Sequence, residues 1–172
     1  MTSDSKSGSS ETVAWLQSTL PDFAKLTGDD IEAATDFLLL WSVFELQALD
    51  GNASVNTISE FARRVSDGGK VDANVIQKAA HYFRQRYFED GDFTNAFHEL
   101  YARDDKGKSM VEQFLSAAQF SPDDSLQANL LITYRLKNNF VHGSKMAYGL
   151  AGQFENFRHA NAVIKAALNA IY

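Results

Sequence analysis

Apolar residues in this chain recur three and four positions apart, and no segment shows the sustained two-residue alternation of a half-buried strand, so the pattern predicts an all-α protein. A short first helix over 11–20 stops at Pro21. In "DDIEAATDFLLLWSVFELQALDG", Asp29 and Glu32 form a capping-box-like start and Gly51 follows the last periodic residue, which predicts a helix of about 20 residues. Thr57 with Glu60 opens a shorter one, "ISEFARRVS", that the "DGGK" turn terminates. Asp72 opens "ANVIQKAAHYFRQRYF", with Ile76, Ala79, Ala80, Phe83 and Tyr87 on one face. The stretch from Glu89 to Lys108 is mixed: it holds a short helix, "FTNAFHELY", and a charged loop, "RDDKGK". Ser109 with Glu112 starts "MVEQFLSAAQF". Ser121 as N-cap, Pro122 in the first helical position and Asp123 and Asp124 in the first turn then start a long helix that should end at His142 and Gly143. A last helix follows over about 151–171.

With 172 residues, of which 45% are hydrophobic, the chain can bury one substantial core, and a single helical domain over 11–172 is expected behind a disordered, serine-rich tail over 1–10. There is no cysteine, which removes disulfides and thiolate metal sites and suits a reducing compartment. No apolar run near the start has the length of a signal peptide core or a membrane span. The expectation is a soluble cytoplasmic protein with no membrane partner.

Charge sharpens the picture at one end. The net charge of −6 argues against a protein that coats nucleic acid over its whole surface. Residues 1–122 carry 11 Lys+Arg against 19 Asp+Glu, whereas residues 123–172 carry 5 against 3. A small basic zone therefore coincides with "RLKNNFVHG", the end of the long helix that begins at Pro122.

At about 100° per residue, Arg135, Asn138, Asn139 and His142 fall on one face of that helix. Leu126, Leu130, Tyr134, Leu136, Phe140 and Val141 occupy the broader opposite arc, the side expected to be buried. Lys137 points into the apolar arc, where it can snorkel or pair with a carboxylate such as Glu45. An Arg, a His and an amide on one face suit attack on a phosphodiester. The guanidinium grips phosphate oxygens and the imidazole moves a proton near neutral pH. With the RNA 2′-hydroxyl as nucleophile, no metal or other cofactor is needed. One helix offers one His, so a symmetric pair of chains is an economical source of both acid and base. The same residues also suit an ordinary helix end, where His complements the dipole and Asn tolerates terminal geometry.

Elsewhere, His81 lies near Arg84 and Arg86 in a helical strip, and His98 adjoins Glu99 without chelating spacing. His159 sits on the last helix, which must fold back toward the motif. The aromatics Phe37, Trp41, Phe44, Phe61, Phe83, Tyr87 and Phe88 read as core, and "MAYGLAGQ" reads as a connection beside the motif.

"RLKNNFVHGSK" resembles the motif of the HEPN superfamily, in which an Arg is followed after four to six residues by a His near the end of a late helix. Arg135 and His142 are six residues apart, Asn138 and Asn139 fill the polar slots, and Gly143 and Lys145 continue the pattern. "FLLLWSVFELQAL" is similar to the first long helix of that superfamily. The resemblance implies a bundle of long antiparallel helices with additional short ones. It also implies a metal-independent endoribonuclease of the toxin or antiviral-defence kind, acting as a homodimer under an antitoxin or regulatory protein. In its terms His142 is the acid/base, Arg135 the phosphate ligand, Asn138 or Asn139 an orienting amide, and Lys137 and Lys145 substrate-binding cations. The tighter form of the motif puts Arg where Lys137 stands, so the basic role falls to Arg135 or to Lys137. Members that do not cut RNA imply a second role, a noncatalytic module binding RNA, nucleotide or a partner protein.

Overall fold

The computed structural model describes residues 10–102, 106–142 and 150–172. Among them are the helices α1 (Glu11–Thr19), α2 (Gly28–Ala48), α3 (Val55–Asp67), α4 (Ala73–Tyr87), α5 (Asn95–Leu100), α6 (Lys108–Ser116), α7 (Pro122–His142) and α8 (Phe154–Asn169). A 3₁₀ turn at Phe23–Lys25 and a small hairpin, β1 (Phe88–Glu89) with β2 (Asp92–Phe93), complete the description. The protein is all-α, a helical bundle, and among the described residues no helix is long and apolar enough to cross a membrane.

Most of the helices start where side chains answer their free amides, α6 and α8 being the uncapped ones. Asp72 accepts from the amides of Asn74 and Val75, and Ser121 accepts from Asp124 N at 3.1 Å, both at the expected positions. Two other starts lie earlier than the spacing predicts. The capping box of α2 joins Thr27 to Asp30, two residues ahead of Asp29 with Glu32, and that of α3 joins Ser54 to Thr57, three residues ahead of Thr57 with Glu60. Capping residues three apart occur in both registers, and the earlier pair wins because it adds two or three residues of helix. The hairpin went unread because its strands are two residues long; Asp90 (φ 51°) and Gly91 (φ 85°) make its turn in the left-handed conformation that the dipeptide Asp-Gly favours.

The core is one cluster to which every helix from α2 to α8 contributes. α2 packs along α8, α3 and α4 pack on α7, and α4 also packs on α8. The expected face of α4 is the buried one, Ile76, Ala79, Ala80, Phe83 and Tyr87 all lying inside. On α7, Val141 departs from expectation. It is 50% exposed, since the neighbouring helices cover α7 only as far as Phe140, whose ring lies 5.4 Å from that of Phe157 on α8.

Candidate functional site

α7 carries polar side chains deep into the bundle before it reaches the motif. Ser125, Asn129 and Thr133, four residues apart, are fully buried; the two hydroxyls bond within α7 and its N-cap and the Asn129 amide nitrogen bonds across to α4, while Asn129 Oδ1 is buried without a hydrogen-bond partner. Ser125 donates to Ser121 O and Thr133 to Asn129 O, at 2.8 and 2.7 Å, while Asn129 Nδ2 donates to Ile76 O at 2.9 Å. The Asn129–Ile76 bond ties α7 to α4 two turns before the motif.

One turn further, the structure joins two motif residues on one acceptor. Arg135 Nε and Asn139 Nδ2 both donate to the carbonyl oxygen of Leu100, each at 2.8 Å. Leu100 ends α5, a helix of six residues whose last carbonyls have no partner within the helix, and a cation there also complements the negative end of the helix dipole. The guanidinium carbon lies 5.7 Å from the ring centre of Tyr101. Arg135 is 8% exposed.

The remaining motif residues separate. His142 ends the helix on the side of Arg135 and Asn139, stands in solvent, and makes no hydrogen bond or ion pair among the described residues. Asn138 is half-buried. Lys137 turns the other way, as its place in the apolar arc predicts: Nζ lies 3.7 Å from Glu45 Oε2 and 5.5 Å from the Trp41 ring centre. Glu45 also accepts from Trp41 Nε1 at 2.6 Å and from Ala53 N at 3.4 Å, so the Lys137 ammonium joins a carboxylate already held in place. Gly143 and Lys145 lie outside the described residues.

A second polar group, between α4 and α8, was not singled out from the spacing. Asn156 is buried at the start of α8 and its Oδ1 accepts from Tyr82 OH at 3.0 Å and Tyr87 OH at 3.4 Å, while its Nδ2 donates to Gln153 Oε1. Burial raises the pKa of both phenols, and the Arg86 guanidinium nearby opposes the rise. Arg86 Nε is buried without a hydrogen-bond partner. His159 stacks on Tyr82 with ring centres 4.2 Å apart and lies 3.6 Å from Glu155 Oε2. Its pKa is lowered, first by burial and then by Arg158 and Lys78, with Glu155 working against them. His159 thus faces α4. The available signal for this group was an asparagine next to Phe157 near the start of the last helix.

Ring contacts connect the two polar groups. Tyr87 meets Phe97 at 6.4 Å between centres, Phe97 meets Tyr101 at 5.0 Å, and Tyr101 lies beneath Arg135. The ends of α4, α5 and α7 and the start of α8 therefore gather at one end of the bundle. His81 and His98 are exposed on other surfaces, and among the described residues no three His, Asp or Glu side chains gather as metal ligands. No family model, curated protein or solved structure matches the chain.

Proposed function

We propose that this chain is a HEPN-type endoribonuclease that cuts RNA without a metal, with the His142 imidazoles of two chains in a homodimer as its acid and base. The observation that supports this reading is the exposure of His142 at the end of a helix whose preceding turns are pinned by Arg135 and Asn139 on one carbonyl. An imidazole changes charge near neutrality, so a neutral one takes the proton of the 2′-hydroxyl and a protonated one returns a proton to the leaving oxygen. The 2′-oxygen bonds to phosphorus as the bond from phosphorus to the 5′-oxygen breaks, leaving a 2′,3′-cyclic phosphate and a 5′-hydroxyl. In this scheme Arg135 positions the helix end, its Nε being committed to Leu100, and Asn138 and Lys145 are the motif residues left to meet the phosphate. A toxin or antiviral-defence setting in the cytoplasm, with an antitoxin or regulatory protein, belongs to the same proposal through the motif resemblance.

A second reading, a noncatalytic HEPN module that binds RNA, nucleotide or a protein, is favoured by one specific observation. Both cations of the motif helix are engaged internally, Arg135 on Leu100 and Tyr101, Lys137 on Glu45 and Trp41.

Incubating wild-type and His142→Ala protein with labelled single-stranded and structured RNA in EDTA, with end-group analysis, separates the two. The nuclease reading expects cyclic phosphate ends from the wild type and a loss of about 100-fold or more in the variant. Cleavage that vanishes in EDTA would overturn the mechanism. RNA left intact by both proteins, but bound equally, selects the binding module.

A further inference from the structure

The first half of α7 lines a hollow on the same face that carries the motif. At about 100° per residue, Gln127, Ala128 and Leu131 fall on the arc that Arg135, Asn138 and His142 continue further along the helix. α6 packs against this part of α7, and a cavity of about 310 Å³ lies between them. Phe114, Ala128 and Leu131 line it and are buried, so its floor is apolar. Half-buried Phe120 adds a second ring, its centre 4.6 Å from that of Phe114. Three amides also line it, Gln113 and Gln119 exposed and Gln127 half-buried, and none has a side-chain hydrogen bond among the described residues. Of the described residues that line the hollow, Asp124 alone is charged, and its Oδ2 already accepts from the Ser121 hydroxyl at 2.8 Å.

We infer that this hollow takes a nucleobase, adenine by the chemistry of its edge. A lining whose one charge is engaged suits an uncharged group, and an apolar floor with two rings suits a flat one. Glutamine presents an acceptor and donors side by side, the complement of the N6 amino group and N7 of adenine. Ligand cavities span about 300–1,000 Å³, so a volume at the small end holds one base and little more. Position ties the base to a strand. Leu131 and His142 are eleven residues apart on one face, about 17 Å along the axis. At about 3.4 Å for each stacked nucleotide, a base in the hollow lies about five nucleotides from the bond at His142. Leu100 and Tyr101 cover Arg135 between the two places, so the strand passes over the end of α5. In that role the hollow selects which RNA is cut, and to that extent the inference rests on the nuclease reading. A free adenine nucleoside offers the same chemistry from another source.

The test uses the full chain and probes that it cannot cut. Nitrogen-15 spectra are recorded with adenosine and with uridine. Anisotropy is read with labelled 2′-O-methyl hexamers of adenylate and of uridylate, which lack the 2′-hydroxyl nucleophile. Adenosine, and not uridine, should shift the side-chain amide signals of Gln113, Gln119 and Gln127, and the adenylate hexamer should bind about 10-fold more tightly than the uridylate one. Gln127→Leu and Gln119→Ala, with circular dichroism as the check on folding, should each shrink that preference several-fold and leave uridylate binding unchanged. A selective response to adenosine without any hexamer preference keeps the base site for a free nucleoside and overturns the strand path. Equal affinity for the two hexamers with no selective response to adenosine, or a preference that both variants retain, overturns the inference. Because no probe is cut, these readings stand apart from cleavage. RNA cleavage without any base preference sinks the hollow and keeps the nuclease; a base preference in a protein that never cuts RNA does the reverse.

Discussion

Arg135 ties together two parts of the molecule that lie far apart in sequence. Its own helix is α7, its acceptor is the last carbonyl of α5, and the ring beneath it is Tyr101. A charge-assisted hydrogen bond of this kind stabilises by about 1.5–3 kcal/mol, and stacking on an aromatic ring adds about 0.5–1 kcal/mol. Arg135→Ala should therefore lower the unfolding free energy in urea by about 2–4 kcal/mol. Asn139→Ala, which removes a neutral donor from the same carbonyl, should cost about 1 kcal/mol. Arg135→Lys should recover only part of the loss, since an ammonium lacks the planar fork that reaches a carbonyl and covers a ring together. An Arg135→Ala protein as stable as wild type would refute this anchoring role. The sequence could place Arg135, Asn139 and His142 on one face because that follows from helical spacing alone. It could not name Leu100 as the shared acceptor, because that contact joins residues 35 positions apart.

Among whole elements, the seam of α4 and α8 holds the clearest titration. His159 packs flat on Tyr82 and its pKa is lowered by burial, so its neutral form is the one the fold favours. The unfolded chain takes up that proton near pH 6.5, the folded protein only at lower pH. Over that interval the unfolded state binds more protons, and stability falls as pH drops through about 6.5. The thermal midpoint of the wild type should thus fall between pH 7.5 and 5, and His159→Phe, which keeps a ring on Tyr82 but cannot titrate, should fall less steeply. Parallel slopes for the two proteins would remove His159 as the cause. The partners in this seam were hidden for the reason Leu100 was: Tyr82 and Asn156 are 74 residues apart and neither carries a local pattern. Legible features were local ones, such as the buried face of α4, the Ser121 start of α7 and the turn at Gly51. The Lys137–Glu45 pair is an instructive exception across elements. A lysine in an apolar arc needs a carboxylate, and the other long apolar helix offered few.

For the molecule as a whole, charge limits how RNA can be held. Residues 123–172 carry only 5 Lys+Arg, and the structure engages three of them elsewhere: Arg135 on Leu100, Lys137 on Glu45, and Arg158 on Glu155 at 3.2 Å. Lys165 lies in the second half of α8 beside Asp29 and Asp36, and Lys145 lies outside the described residues, so the proposed site draws on Lys145 and His142 of each chain. A two-chain site would then neutralise about two to four phosphates, and single-stranded nucleic acid gives a slope of about −0.7 in log affinity against log salt for each. RNA binding should accordingly weaken with a slope of about −1.4 to −2.8, measured by anisotropy of a labelled oligonucleotide between low and physiological salt. The net charge of −6 works in the same direction, since a net acidic surface repels a polyanion. A slope steeper than about −4 would require six or more phosphate contacts, more than the α7 end can supply, and would rule out an RNA path confined to it. A shallow slope together with loss of binding on Lys145→Ala would keep it at the motif.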